Sequence, residues 1–229
     1  MAILMHDLAG ADPSLRFSPF CWRAKLALAH KGLAVETIPW RFTDKAVIAF
    51  SGQKRVPVIR DGETVVADSW AIAEYLDRHY PDRPSLFGGE LGRAHARFIA
   101  TWADTTLNGG IVSLIIKDIW DILDGSDKPF FRDTRQSQFG RTLEAIQAGR
   151  EERLAAFRAS LAPLRLLLQK QDWLGGAAPS YADFIVFGSF LWARCASRFE
   201  LLDPADGVAT WRERMLDLLD GLGRNARTV

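Results

Sequence analysis

Ser18 and Cys21 stand one helical turn apart in the run Arg16-Phe17-Ser18-Pro19-Phe20-Cys21-Trp22-Arg23. Ser18 falls where a helix should begin. Pro19 takes the first helical position, where its fixed φ fits and its missing N–H costs nothing. Phe20, Ala24, Ala27 and Leu28 continue as one apolar helix face to a stop at Lys31-Gly32. The free N–H groups of such a start carry partial positive charge and favour an anion. A hydroxyl held beside them suits a thiolate or carboxylate ligand. The plainer reading is an ordinary serine N-cap, and these residues alone leave both open.

Two further clusters present groups that a polar ligand would use. From Val56-Pro57 to Val65-Val66, β-branched runs flank Asp61-Gly62, a strong hairpin signal. Pro57 opens the first run, and proline is tolerated at a strand start or edge. A cis Val56-Pro57 bond would leave the Val56 N–H and C=O free for a peptide-like ligand. Cis is only about 5–6% of such bonds, and the sequence leaves the isomer open. Asp68-Ser69 then start a helix whose apolar face is Ile72, Ala73, Leu76 and Tyr80. Both are good helix caps. They are equally a carboxylate and a hydroxyl aimed at the amine and carboxylate of a ligand.

The elements that must hold these groups divide the chain in two. A strand over residues 2–5, a loop over 8–17, the Ser18 helix and a strand over 35–38 form a right-handed parallel βαβ unit. A short irregular helix spans 46–50 and the hairpin follows. Pro81-Asp82-Arg83-Pro84 ends this part. Residues 1–84 are therefore expected to be an α+β domain with a mixed sheet, and residues 85–229 an all-helical one. In the second part the periodicity predicts one long helix over 91–123, bent at Gly109-Gly110, and a loop over 124–131. A second long helix over 141–170 would be kinked at Pro163. Ser180-Tyr181-Ala182-Asp183 is a capping box in Asp form. The helix behind it, through Phe184, Phe187 and Leu191, is apolar all round and should be central. A last amphipathic helix covers 211–219.

Composition narrows the partners. The chain has 229 residues and a net charge of +1 with no basic block, which argues against nucleic acid. No apolar run approaches the roughly 18 residues of a membrane span. The N-terminus lacks a basic region and a cleavage site, so it reads as a strand and not a signal peptide. Two distant cysteines make no disulfide framework, and a reducing cytoplasm is the default. The four histidines show no metal-ligand spacing, so no metal is expected. Eight tryptophans are enough to supply a core and still line an aromatic pocket.

Four features in this order resemble one family: Ser18-Pro19-Phe20, Val56-Pro57, Asp68-Ser69 and the Ser180 to Asp183 box. They resemble the glutathione transferases with a thioredoxin-like first domain, over essentially the whole chain. The stretches Ser18 to Lys25, Asp68 to Asp77, Gln147 to Glu151, Trp173 to Gly176 and Asp220 to Arg224 look like the bacterial glutathione-dependent β-etherases and related fungal enzymes. Two features depart from that branch: the chain ends at Val229, and Cys21 stands where many relatives carry an apolar residue.

The resemblance implies a four-stranded mixed sheet in the first domain, a helical second domain and a homodimer. It implies glutathione as co-substrate and a small hydrophobic or aromatic electrophile, with aryl ether cleavage within the branch's chemistry. Ser18 would donate a hydrogen bond to the glutathione sulfur. Val56, ahead of a cis Pro57, would pair with the cysteinyl amide. Asp68 and Ser69 would hold the γ-glutamyl end. Lys45, Lys54 or Arg55 would meet the glycyl carboxylate. Phe17, Trp22, Trp102, Leu107, Trp120 and Trp192 are the candidates for the electrophile pocket, each with core packing as its competing reading. Two other functions stand beside this one. Ser18 to Cys21 has the spacing of a redox C-x-x-C without its first cysteine, so Cys21 could serve thiol–disulfide exchange. A non-catalytic carrier of aromatic ligands would have much the same sequence.

Overall fold

The computed structural model describes residues 2–229. β1 (Ile3–Leu8) and β2 (Val35–Trp40) pair in parallel, joined by α1 (Pro19–His30). A 3₁₀ turn over Lys45–Ser51 leads to β3 (Val58–Asp61), antiparallel to β1, and β4 (Thr64–Ala67), antiparallel to β3. The sheet order is β2-β1-β3-β4. α2 (Ser69–His79) follows β4, and everything after it is helical or loop. This is the expected mixed four-stranded sheet followed by helices. β1 runs past residue 5 because its polar residues are accommodated: Asp7 is fully buried and its carboxylate lies 2.8 Å from the Lys25 ammonium of α1.

α3 (Glu90–Trp102) and α4 (Asn108–Ile122) form one 33-residue rod through a π-helical turn at Ala103–Leu107. The irregularity lies at that turn and not at Gly109-Gly110. By length and composition the rod is long and apolar enough to cross a membrane, contrary to the expectation that no stretch of the chain is. Its most apolar window is 44% buried inside the protein, and α3 and α4 both pack on α9 (Tyr181–Ala196).

The helical part departs from expectation in two places. The loop expected over 124–131 gives way at Asp127 to α5 (Asp127–Phe139), which runs on through residues for which the sequence predicts no element. Ser126 stands at the N-cap position and Asp127 and Pro129 in the first turn, residue types that suit a helix start, and a polar exposed face masked the repeat behind them. The expected single helix over 141–170 is three: α6 (Leu143–Gln147), α7 (Arg150–Ser160) and α8 (Ala162–Leu168). Gly149 takes φ +66°, a left-handed conformation that ends the helical path before α7. Pro163 sits in the first turn of α8, where it starts a helix instead of kinking one.

α9 is the centre of the molecule: every residue in it except Trp192 and Arg194 is buried. Each buried Phe, Ile or Leu contributes about 1.5–3 kcal/mol. Its capping box is formed. Ser180 Oγ accepts from the Ala182 amide at 3.2 Å, one residue earlier than expected, and the Ser180 N–H donates to Asp183 at 2.9 Å. Burial pushes the Asp183 carboxyl up in pKa, against N–H donors from Ser180, Leu174, Trp211 and Gly175. α10 (Gly207–Gly221) closes the chain, with Leu218 to Asp220 out of helical geometry.

A buried ion pair between α1 and α2 also anchors the start of the helical part. Lys31, at the end of α1, is 1% exposed, and its ammonium lies 2.6 Å from Asp77 of α2. Asp77 also accepts from the Leu86 amide at 2.8 Å and the Ser85 hydroxyl at 2.9 Å. Burial raises the Asp77 pKa, but these donors and Lys31 more than reverse it, so the net shift is downward. A depressed carboxyl gives stability that is present above its ordinary pKa and lost as pH falls through the folded value. Asp77→Asn would strand the Lys31 charge, at a cost of about 3–5 kcal/mol. Urea denaturation at neutral pH should show that loss, and a midpoint equal to wild type would mean Lys31 is solvated after all.

Candidate functional site

The first turn of α1 is held against α9. Gly188 of α9 has no side chain, and a Cβ there would lie 2.7 Å from the Pro19 carbonyl and 3.2 Å from the Arg23 side chain. Arg23 is buried and reaches Asp104 in the π turn at 2.7 Å. Ser18 is the N-cap of α1, with extended backbone, and its Oγ accepts from the Cys21 amide at 3.3 Å. The same Ser18 borders a cavity of about 780 Å³, within the range of about 300–1,000 Å³ usual for small-molecule sites. A helix N-terminus, a hydroxyl and a cavity therefore coincide. Another cavity, of about 300 Å³ beside the C-terminal end of α9, touches no candidate residue.

Val56 borders the cavity next to Ser18, and the Val56–Pro57 bond is cis. Among the described residues, neither the N–H nor the C=O of Val56 has a hydrogen-bond partner. The Asp68 amide donates to the Pro57 carbonyl at 3.2 Å, which sets the start of α2 beside this segment. Asp68 is exposed with φ +79°, a strained conformation for a residue with a side chain. One of its oxygens caps α2, accepting from Trp70 and Ala71 at 2.9 and 3.1 Å. The other is not used by the helix. Ser69 is buried, and its carbonyl accepts from the Tyr181 hydroxyl at 2.6 Å. Asp68 and Ser69 are not part of the cavity wall. Of the three candidate cations, Lys45 and Arg55 face the cavity; Lys54 does not, and instead its carbonyl accepts from the Lys45 ammonium at 2.9 Å.

Only Phe17 and Trp192 of the expected pocket residues line the cavity. Trp22 is buried in the core, its indole N–H donating to the Arg16 carbonyl at 3.0 Å and its ring covered by Lys25. Trp102 and Leu107 flank the π turn, which adds a residue per turn and rotates the following face. Asp104, Thr105, Asn108, Gly109 and Val112 meet the cavity instead, Leu107 is core, and Trp102 packs part-buried against the core. Trp120 lies among Lys117, Lys128 and Arg132, and its N–H donates to the Lys128 carbonyl. The aromatic wall that sequence reasoning missed is Trp40, Phe42, Phe130, Phe131 and Phe139. Three of these belong to α5. Phe131, Thr134, Arg135, Gln138 and Phe139 face one way at helical spacing, a signal missed because Phe131 falls in the expected loop and the residues after it carry no expected element.

Neither cysteine reaches the site. Cys21 and Cys195 are fully buried and unpaired. Burial, with the Asp7 carboxylate adding to it, pushes the Cys21 thiol far up in pKa, and burial lifts Cys195 to about 11. A raised thiol stays protonated at neutral pH and is a poor nucleophile. A colourless thiol reagent that releases a chromophore should therefore find no fast-reacting group in the native protein and two per chain after denaturation. Rapid labelling of Cys21 in the native state would contradict this packing.

A mixed-sheet domain with a cis proline beside the cavity, followed by a helical domain that completes the aromatic wall, defines the class of two-domain folds with a thioredoxin-like first part. Residues 13–84 match the family model described as glutathione S-transferase, N-terminal domain, and residues 94–216 the one described as glutathione S-transferase, C-terminal domain. The chain belongs to the glutathione S-transferase family. A glutathione transferase of Phanerochaete chrysosporium superposes with a TM-score of 0.85 at 26% identity, over 96% of this chain and 97% of that one. A glutathione S-transferase of Ceriporiopsis subvermispora, solved in complex with glutathione, gives 0.79 at 25% identity, over 96% and 97%. A curated glutathione S-transferase of Arabidopsis thaliana is 24% identical over 210 residues, 87% of this chain and 81% of its own.

Proposed function

We propose that this chain binds glutathione, stabilises its thiolate at Ser18 and directs it at an apolar, aromatic electrophile in the cavity. The observation that carries the reading is a hydroxyl at the N-terminus of α1 opening onto an aromatic cavity beside an unpaired Val56 backbone. The residues fit the parts of glutathione. Val56 supplies the N–H and C=O that a cysteinyl amide needs. Asp68 has one oxygen uncommitted, next to the Ser69 hydroxyl, for the γ-glutamyl ammonium and carboxylate. Lys45 and Arg55 offer cations to the glycyl carboxylate. The Ceriporiopsis relative, solved in complex with glutathione, supports glutathione as the ligand. Against the exchange reading, Cys21 is buried and its pKa is raised. Turnover, as opposed to binding alone, separates an enzyme from a carrier.

A free cysteine thiol has a pKa near ~8.5. A hydrogen bond to a charged group contributes about 1.5–3 kcal/mol and a helix N-terminus about 0.3–1 kcal/mol. At about 1.36 kcal/mol per unit these lower the bound thiol by roughly one to three units. The sulfur then attacks, its bond to carbon forms and the leaving group departs with the electron pair. Ser18 remains a donor throughout and forms no covalent bond. Within this class we place the chain with the β-etherase-like branch, on the likeness of the Ser18 and Asp68 stretches. There an aryl ether oxygen is the leaving atom. We further propose a cytoplasmic homodimer, in which the exposed Leu91 and Phe98 of α3 and Val65 of β4 provide apolar surface.

Ser18→Ala should raise the pKa of bound glutathione by about one to two units, the equivalent of about 1.5–3 kcal/mol. Turnover at neutral pH should fall and partly recover at alkaline pH, because the α1 amides remain. Ultraviolet titration of the thiolate reads the shift; an unmoved pKa would exclude Ser18 as the sulfur donor. Asp68→Asn keeps a helix cap and removes the charge. Losing one charge-assisted bond should weaken glutathione about ten- to a hundredfold by calorimetry. Equal affinity in this variant would take Asp68 out of the site.

A further inference from the structure

Three cations and no free carboxylate line the cavity. Lys45 and Arg55 come from the α/β domain and Arg135 from α5. Among the described residues none of the three has an acidic partner within ion-pair distance. The Arg135 guanidinium makes a single long hydrogen bond, to the Thr134 hydroxyl at 3.4 Å. The only carboxylate on the wall, Asp104, is taken by Arg23 at 2.7 Å. Asp127, the acid near Lys45, spends both oxygens on the Phe42 and Thr43 amides and the Thr43 hydroxyl. Burial, then repulsion from Arg55, disfavours the charged form of Arg135. A guanidinium stays protonated regardless. The protein thus holds a half-buried positive charge against another positive charge without internal compensation, an arrangement that an incoming anion relieves.

Glutathione alone does not supply enough charge. On the reading above, its γ-glutamyl end lies toward Asp68 and Ser69, outside the cavity wall. Its glycyl carboxylate meets Lys45 and Arg55 on the Val56 side. Arg135 stands on the opposite domain, its guanidinium 4.9 Å from the Phe131 ring centre and 6.0 Å from that of Phe42. Planar donors next to aromatic faces suit a carboxylate attached to a ring, held in bidentate geometry. We propose that the electrophile is an aromatic acid and that Arg135 receives its carboxylate, an inference that rests on the glutathione transferase reading for the position of the thiolate. The acid end at Arg135 and the thiolate at Ser18 then fix the two ends of the electrophile, and specificity is for charge as well as for apolar surface.

Calorimetry with the full chain tests this, using biphenyl-4-carboxylate and its neutral isostere biphenyl-4-carboxamide, with and without saturating glutathione. The wild type should bind the acid at least tenfold more tightly than the amide. Arg135→Gln should bring the two within about twofold, and Arg135→Lys should keep part of the preference. Equal binding of acid and amide by the wild type overturns the proposal. So does an Arg135→Gln variant that weakens both ligands alike, which marks a structural role. A variant that weakens glutathione and keeps the acid-to-amide ratio also overturns it, by placing Arg135 on the glycyl carboxylate. Glutathione titrated alone decides the transferase reading separately: its failure to bind sinks that reading, while the acid-to-amide ratio decides the anion site.

Discussion

The contact between the first turn of α1 and Gly188 of α9 is the constraint on which the site depends. A side chain at residue 188 would lie 2.7 Å from the Pro19 carbonyl, so the two helices approach only because none is there. The approach crosses the boundary between the sheet-bearing and helical parts. It fixes the start of α1, with its free amides and the Ser18 hydroxyl, at the mouth of a cavity whose far wall belongs to the other part. Arg23 reinforces it from within the same helix by reaching Asp104. A side chain that belongs to the fold of α1 thereby also closes one end of the π turn.

That turn is the second device. An uninterrupted helix from Glu90 to Ile122 would present a different set of side chains to the cavity. The π turn at Ala103–Leu107 re-phases the rod, turning Thr105, Asn108, Gly109 and Val112 toward the ligand space and keeping Leu107 in the core. The cavity floor is therefore small and polar, whereas the aromatic surface comes from β2's exit, α5 and Trp192. Asp127 links these walls, since its buried carboxylate accepts from the Phe42 and Thr43 amides across the domain junction. Electrostatically the result is uneven: acids near the cavity are spent on the protein's own donors, while Lys45, Arg55 and Arg135 remain uncommitted to any acid.

The local and the long-range were not equally legible in the sequence. The Ser18 cap, the hairpin at Asp61-Gly62, the Asp68 cap, the Ser180 box and the burial of α9 depend on residues within a turn of one another. Their types and spacing are sufficient to specify them. The same holds for the division into a sheet-bearing part and a helical part, because periodicity changes after Pro84. Where the polar face of a helix dominated its composition, as in α5, the pattern misled. Where a glycine took a left-handed conformation, as at Gly149, one periodic run became two helices.

Which aromatic side chains face the ligand space was decided only by tertiary structure. Trp22, Trp102, Leu107 and Trp120 are as apolar as Phe42, Phe131 and Trp192, and no property of the individual residues separates them. The separation comes from the rotation of the rod at its π turn, the cations that cover Trp120 and the packing of Trp22 beneath Lys25. The same is true of Arg135: a charged residue on an amphipathic helix reads as solvated until its surroundings are known. Sequence alone determined the division into a sheet-bearing and a helical part and the capped starts of α1, α2 and α9, because those follow from local backbone chemistry. The cavity's shape and charge followed from contacts between residues distant in the chain, since they depend on which acids had already been taken.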